Sequence, residues 1–562
     1  MKLPQAPAWR LRESQLFLVL TIVTGILAGL SAVLFSLGID AAKFLFFGTS
    51  PSVPRTILVP TLVSLLSGVL LLKYFRDARG SGVPQTKAAF HLRQGVIPAR
   101  VPLGKFVMGI LCIGSGHSMG REGPSVQIGA GLASAIGQWL RLPRERVKSL
   151  VPVGASAALA AAFNTPVAAV LFALEEIISD LNAPLLGSTV VASVASVVVA
   201  RSLLGNEPLF HVPEYELAHP AELLAYVVLG IVGGVASLAF TKGLLRARAF
   251  FQALPASTRM WQPAMGGLAI GVLLVFFPEV AGVGYESVDQ ALNGGLVISA
   301  MLILCIVKGG ATIVSYSSGN AGGIFAPTLF LGAMVGGTVG LAMQNVALFP
   351  VGSPGAYALV GMGALFAGII RAPMTSVFMI FELTQDYQIF VPLMVANMIS
   401  LYISRRYQPV PVYHALLQQD HVHLPSALVR ASAGGWRAGD VMSDDVRFVE
   451  PHATVESAFA RLSDVPAPCL LVGDRNHLLG IVATERLVEE MSAGRGQRPV
   501  ASVMSEDWAH VHADHAIDVV LERFGRNPGV LPVLSRANVH AVKGVITRDT
   551  LMRVFGRKAA GG

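Results

Sequence analysis

Gly120-Arg-Glu-Gly-Pro124, followed by Gly129, is echoed 203 residues later by Gly323-Ile-Phe-Ala-Pro327, followed by Gly332. In both copies a glycine turn and a proline open an apolar run. Proline is favoured at the first helical position, where its missing N–H costs nothing. Each motif therefore predicts a helix start, with unpaired backbone N–H groups and the positive end of the helix dipole. In the first copy the Glu122 carboxylate sits at that start. Two readings fit it: a cap for its own helix or a partner of Arg121, and a tethered competitor for an anion bound there. The second copy presents the same start without a carboxylate, so its amides stay free for a ligand.

Two more motif pairs extend the echo. Gly80-Ser-Gly82 returns as Gly282-Val-Gly284, and Pro166 with Glu175 nine residues on returns as Pro373 with Glu382. The offsets of 202, 203 and 207 occur in one order, which predicts two homologous halves, roughly 16–215 and 216–403. Offsets alone leave parallel and inverted arrangements open. Gly80-Ser-Gly-Val-Pro84 adds a third turn and a hydroxyl, and three converging helix N-termini bind an anion without any cation.

The composition around these motifs is that of a membrane protein. The 562 residues are 53% hydrophobic and 14% charged, against about 45–50% and about 25% in soluble domains. Charge is uneven: 31 Asp, Glu, Lys and Arg fall in residues 431–562, and 45 in the first 430. This divides the chain into an N-terminal segment 1–15, a membrane domain 16–418, a linker 419–436 and a soluble domain 437–555. The whole chain's net charge of +8 is +9 on residues 1–430, in clusters such as Arg141, Arg144, Arg146 and Lys148, or Arg405 and Arg406, between apolar runs. Juxtamembrane charge accounts for it, and no basic stripe with interleaved aromatics marks a nucleic-acid surface. Cys112, Cys305 and Cys469 match neither a disulfide framework nor a zinc spacing.

Leu16–Leu37 exceeds the about 7–15 apolar residues of a signal peptide and reads as the first membrane helix. Many later apolar segments are shorter than the ~20 residues that span a bilayer. Helices that stop inside a membrane survive only where their ends are buried in protein or line a cavity, as in transporters. A cation transporter would need paired carboxylates, for which Glu175, Glu176 and Glu382 are the candidates. A membrane enzyme finds no nucleophile–base or metal-ligand set, so the chain is not read as an enzyme.

The tail repeats as well. Val441-Met-Ser443 recurs as Val503-Met-Ser505, and Leu479-Gly-Ile-Val482 pairs with Lys543-Gly-Val-Ile546. Between these anchors each unit reads β-α-β-β-α, a tandem α/β module.

Gly-Ser-Gly-Val-Pro, Gly-Arg-Glu-Gly-Pro and Gly-Ile-Phe-Ala-Pro, in this order, make residues 16–418 resemble the CLC family of chloride channels and proton-coupled chloride transporters. The resemblance implies a multi-span α-helical membrane protein with two inverted repeats of broken helices. It also implies a homodimer in the cell inner membrane, with N-terminus and tail cytoplasmic. Ser81 is then a chloride ligand, with the amides of Ile324 and Phe325 and the hydroxyl of Tyr413 in Pro411-Val-Tyr-His-Ala-Leu416. For Tyr413 an interfacial anchor is the other reading. Glu122 matches the external gating glutamate and Glu176 the internal proton-transfer residue. A solvated helix end is the alternative for Glu176, and more so for Glu175. Lys105 matches a lysine position of the family that favours anions, with an interface anchor at a helix end as the other reading. Retaining both Ser81 and Tyr413 implies chloride, with bromide and nitrate as passengers. Holding both Glu122 and Glu176 points to proton/chloride exchange over a passive gated channel of the same fold.

From about 437 the tail resembles a pair of CBS domains, which often bind adenine nucleotides through Gly-x-x-Thr/Ser-x-x-Asp. Gly480-Ile-Val-Ala483-Thr-Glu-Arg486 lacks hydroxyl and acid at those positions, and Gly544-Val-Ile-Thr547-Arg-Asp-Thr550 keeps only the hydroxyl. The departures argue against an adenine nucleotide and for a structural or dimer-stabilising role, so no cofactor is expected. His421 with His423, and His510 with His512 and His515, hint at a metal or a pH response, with plain loop histidines the simpler account.

Overall fold

The computed structural model describes residues 13–181, 185–205, 210, 219–347, 349–422, 424, 437–464, 468–506, 508–515, 517–524, 529–538, 540–547 and 549–551. The chain forms two compact units that part between His421 and Val422. His423 and most of the expected linker lie outside the described residues, as do residues 1–12.

The first unit is helical. Its first half holds α1 (Glu13–Phe47), α2 (Val53–Lys73), α3 (Val83–Leu92), α4 (Arg100–Gly114), α5 (Glu122–Trp139), α6 (Arg144–Phe163), α7 (Pro166–Phe172) and α8 (Leu186–Leu204). The second half holds α9 (Glu222–Ala253), α10 (Gln262–Phe276), α11 (Tyr285–Leu292), α12 (Ile298–Ser317), α13 (Phe325–Val346), α14 (Pro354–Ile370), α15 (Pro373–Thr384) and α16 (Phe390–Tyr407), with α17 (Val412–Gln419) last. Among the described helices α1, α2, α6, α8, α9, α12 and α13 are long and apolar enough to cross a membrane. Leu34, Val194, Val198 and Ile306 stand exposed on them, the surface that a helix in contact with lipid presents. By contrast α3, α7, α11, α15 and α17 run only seven to twelve residues.

Two of these short helices carry no apolar run. In α3, Gln85, Thr86, Lys87 and His91 interrupt it, and in α11 Glu286, Asp289 and Gln290 do. Their formation rests on tertiary packing, which overrides pattern where the surroundings are protein. The helix starts also differ in detail from expectation. α5 begins at Glu122 and α13 at Phe325, so Pro124 and Pro327 fall in the third position of the first turn, where an N–H would also be unpaired.

The repeat is visible as reciprocal bonding. Gly120 N–H donates to the Gly323 carbonyl and Gly323 N–H to that of Gly120, both at 2.8 Å. A local twofold axis therefore passes between the two motif glycines. Gly129 of α5 lies against Gly154 of α6, and Gly332 of α13 against Gly361 of α14, so closely that a Cβ on any of them would strike the facing backbone. Small residues let helices approach in this way, which explains the glycine placed after each motif.

The second unit contains two three-stranded sheets, β1 (Phe448–Val449), β2 (Cys469–Gly473) and β3 (Leu478–Ala483), then β4 (Val511–His512), β5 (Val530–Leu534) and β6 (Val542–Thr547). In each sheet the first pair is parallel and the second antiparallel. Helix α18 (Ala438–Val441) precedes β1, α19 (Val455–Asp464) and α20 (Thr484–Ser492) complete the β-α-β-β-α order of the first repeat, and α21 (Ile517–Phe524) lies between β4 and β5 of the second, whose β-α-β-β part falls within the described elements. Alternation along β2 divides its side chains: Leu470 and Val472 pack on its own helices, Cys469 and Leu471 against Val530, Leu534 and Val545 of the other repeat. The repeated Val-Met-Ser anchors are exchanged. Ser443 bonds both ways with Val545 of the second repeat, and Ser505 both ways with Ile481 of the first.

Candidate functional site

Three turns meet where the halves join. A Cβ built on Gly123 would lie 2.6 Å from Ser81 Oγ and 3.3 Å from the Gly323 Cα. The turns that begin α3, α5 and α13 thus touch, with Gly82 at φ 102°, a value that only glycine adopts freely. Ser81, Glu122, Ile324, Phe325 and Tyr413 are all buried to within 1%. Pro411 caps α17 at Val412 and delivers the Tyr413 hydroxyl beside Ser81.

The polar atoms here are underused. Ser81 Oγ and the Tyr413 hydroxyl are buried without an aligned hydrogen-bond partner. Leaving such a group unpaired costs about 1–3 kcal/mol, so the arrangement is built for a ligand that accepts from both. Glu122 Oε1 accepts from the Tyr285 hydroxyl at 2.7 Å. Its Oε2 lies beside the Ala326 amide at the start of α13, again without an aligned bond. The carboxylate of the first repeat therefore reaches the free helix start of the second. Arg121 donates to Ser36 and lies over the Tyr285 ring, 5.7 Å from its centroid. Next to it a cavity of about 120 Å³ is lined by Ser36, Arg121, Ser125, Phe163, Asn164 and Arg201.

Phe325 packs against Phe163, Phe172 and Phe366 with centroids 4.5–5.7 Å apart. Its ring forms an apolar wall, while the Ile324 and Phe325 amides precede the first intrahelical bond, Thr328 N–H to the Ile324 carbonyl.

Glu175 and Glu176 lie in a π-helical turn, Ala173–Ile178, that continues α7. Such turns often mark functional positions, and this one sends adjacent carboxylates apart. Glu175 accepts from the amides of Met374 and Thr375 at 3.1 and 2.8 Å and from the Thr375 hydroxyl. Glu382 does the same for α7, accepting from the Val167 and Ala168 amides at 2.9 and 2.8 Å. Each half thus caps a helix of the other. Glu176 instead forms a buried ion pair with Lys87 of α3 at 2.7 Å. The three carboxylates considered for a cation site are committed elsewhere, and among the described residues no group of His, Cys, Asp and Glu is placed to hold a metal.

Lys105 donates to the carbonyls of Ala78 and Gly80 at 2.8 and 2.5 Å, clamping the turn that carries Ser81. Lys308, 203 residues on, clamps Val280 and Gly282 at 2.9 and 2.8 Å. Tyr285, Lys87 and Lys308 escaped the sequence reading. Only Lys308 left a signal there, its offset from Lys105.

In the second unit His510, His512 and His515 make ring contacts at 5.4 and 5.1 Å, and His512 Nδ1 bonds the Leu534 carbonyl. All three are half-buried, His510 just before β4, His512 at its end and His515 in the bend that follows. Burial lowers the proton affinity of His510 and His515.

Two repeats that present converging helix starts, hydroxyls without an aligned partner and a carboxylate at the opposite helix start define a membrane anion-transport protein. Residues 63–405 match the voltage gated chloride channel family, and residues 438–493 match the CBS domain. The chain belongs to that chloride channel family, and its halves are the family's inverted repeats. It is 30% identical over 418 residues to the H(+)/Cl(-) exchange transporter ClcA of Vibrio cholerae, covering 72% of this chain and 89% of that one. It is 34% identical over 375 residues to the chloride channel protein CLC-e of Arabidopsis thaliana, covering 62% and 52%. A crystal structure of a slow cyanobacterial Cl-/H+ antiporter superposes with a TM-score of 0.65 at 27% identity, over 72% of this chain and 97% of that one.

Proposed function

We propose that the protein exchanges chloride for protons, with Ser81, Tyr413 and the amides of Ile324 and Phe325 holding the anion. The observation that carries this is the pair of buried hydroxyls of Ser81 and Tyr413, side by side at helix starts and without an aligned hydrogen-bond partner. Chloride accepts from such donors and needs no counter-ion there. Glu122 is the tethered competitor. Its Oε2 stands at the α13 start where an anion would sit, so chloride and carboxylate exclude each other. Displaced outward, the carboxylate takes up a proton, and one charge has been traded for another. Glu176 stands at the other end of the route. Tyr413 lies within electrostatic reach of both glutamates, which supports a proton route that runs past the anion site. Arg121, the neighbour of Glu122 in the chain, and Arg201 line one cavity and attract anions into it.

The protein acts as a homodimer in the inner membrane, each subunit carrying its own pathway, with N-terminus and CBS unit cytoplasmic. The CBS pair is structural. Its sheets share one apolar core, and Thr550 occupies the position where a ribose-binding acid would stand.

The test is proton flux on purified protein in liposomes with a chloride gradient. Uphill proton movement driven by chloride is expected. Large chloride flux without proton movement overturns exchange and leaves a channel.

A further inference from the structure

The Lys87–Glu176 pair is the one buried ion pair described in the membrane unit, with side-chain exposures of 8% and 5%. Lys87 belongs to α3, the helix whose preceding turn carries Ser81. A second contact, His91 Nε2 with the Ile177 carbonyl at 2.9 Å, seats the same helix on the π-helical turn of Glu176. The proton residue and the anion ligand are therefore joined through one rigid element of ten residues. Glu175 and Arg371 also act on Glu176 electrostatically, but Glu175 is occupied with the α15 amides and Arg371 with the carbonyls of Ser404, Gln408 and Pro409. Lys87 is the direct partner.

We propose that Lys87 is a positioning residue that couples protonation of Glu176 to chloride binding at Ser81 and Tyr413. This rests on the exchange reading above for its physiological meaning. While Glu176 is ionised the pair is neutral, and the anion site feels little of the lysine. When Glu176 Oε takes a proton from the cytoplasm, the carboxylate becomes a neutral acid and the ammonium of Lys87 remains, now uncompensated. A buried unpaired charge is costly, and the nearest place for a neutralising anion is the site at the head of its own helix. Chloride is drawn in when a proton is waiting, and its entry displaces Glu122. When the proton passes on, Glu176 and Lys87 neutralise each other again and chloride is released.

The size of the effect follows from the helix. Lys87 stands roughly 9 Å from Ser81 along the axis, and unit charges that far apart at an effective dielectric of ~20 shift binding on the order of tenfold. Chloride affinity of the purified full-length protein, measured by titration calorimetry, tests it through a cycle. Glu176→Gln, a mimic of the protonated acid, is expected to tighten chloride binding about tenfold. The same substitution made on Lys87→Met should leave affinity within about twofold of Lys87→Met alone. On Lys87→Arg, which keeps the charge, the tightening should return. Equal tightening in the lysine and methionine backgrounds overturns the proposal, as does the absence of tightening in Glu176→Gln. Should Lys87→Met not fold, Lys87→Gln takes its place in the cycle. Binding is read without proton transport, so a wild type that moves no protons defeats the exchange reading while the cycle still decides the role of Lys87.

Discussion

The two halves of the membrane unit share a skeleton and differ in chemistry. Lys105 and Lys308 clamp equivalent turns, Gly120 and Gly323 exchange backbone bonds, and Glu175 and Glu382 cap each other's helices. At the reactive positions the symmetry ends. Ser81 faces Val283 in the repeat, Glu122 faces Phe325, and Glu176 faces Leu383. The first half carries the hydroxyl and the proton residues, and the second supplies bare amides and an apolar wall. A twofold scaffold brings two helix starts to one point at no cost in charge, and a carboxylate on only one of them makes a competitor rather than a repelling pair.

Removing the asymmetry has the largest effect. Glu122→Gln leaves both helix starts without an ionisable group, and proton movement coupled to chloride is expected to vanish while chloride still passes, as read by a pH electrode and a chloride electrode on the same liposomes. Intact proton pumping by this variant would break the comparison.

Next come the clamps. Lys105→Met and Lys308→Met each remove charge-assisted hydrogen bonds of roughly 1.5–3 kcal/mol, so similar losses of thermal stability are expected in detergent. Only Lys105→Met should weaken chloride binding, because its turn alone carries Ser81. Equal weakening by Lys308→Met would mean that the second half contributes more than amides.

Glu175→Gln and Glu382→Gln sharpen the symmetry itself. Each deprives a helix start of a cap worth roughly 0.5–2 kcal/mol, and matched falls in melting temperature are expected, with proton-to-chloride stoichiometry unchanged. A change of stoichiometry in Glu175→Gln would place it on the proton route.

The smallest effect lies in the soluble unit, where burial and, secondarily, Glu485 push the Cys469 thiol up to about 12. It stays protonated throughout the neutral range, and mass spectrometry after alkylation at pH 8 should find it unmodified until the chain is denatured. Rapid labelling of the native protein would mean that the two CBS sheets do not share the core between β2 and β5.

Legibility followed length scale. The helix starts at Glu122 and Phe325 could be read because glycine and proline punctuate the chain locally. Ser81 and Tyr413 came from motif resemblance. α3 and α11 were hidden because neither carries an apolar run, and with them went Lys87 and Tyr285, whose partners lie 89 and 163 residues away. The exchange of Val-Met-Ser anchors between CBS repeats was hidden for the same reason, since the repeat shows that each anchor exists but not which strand it pairs with.

By itself the sequence determined a membrane protein of two related halves with a tandem α/β tail, because hydropathy, glycine–proline turns and repeat offsets are local and additive along the chain. Only the tertiary structure decided that Glu175 and Glu382 are caps while Glu176 is ion-paired, that Glu122 reaches the opposite helix start, and that Ser81 and Tyr413 meet without an aligned hydrogen-bond partner. Those are questions of which groups remain unpaired once all others have found partners, and that is settled only when distant segments are packed together.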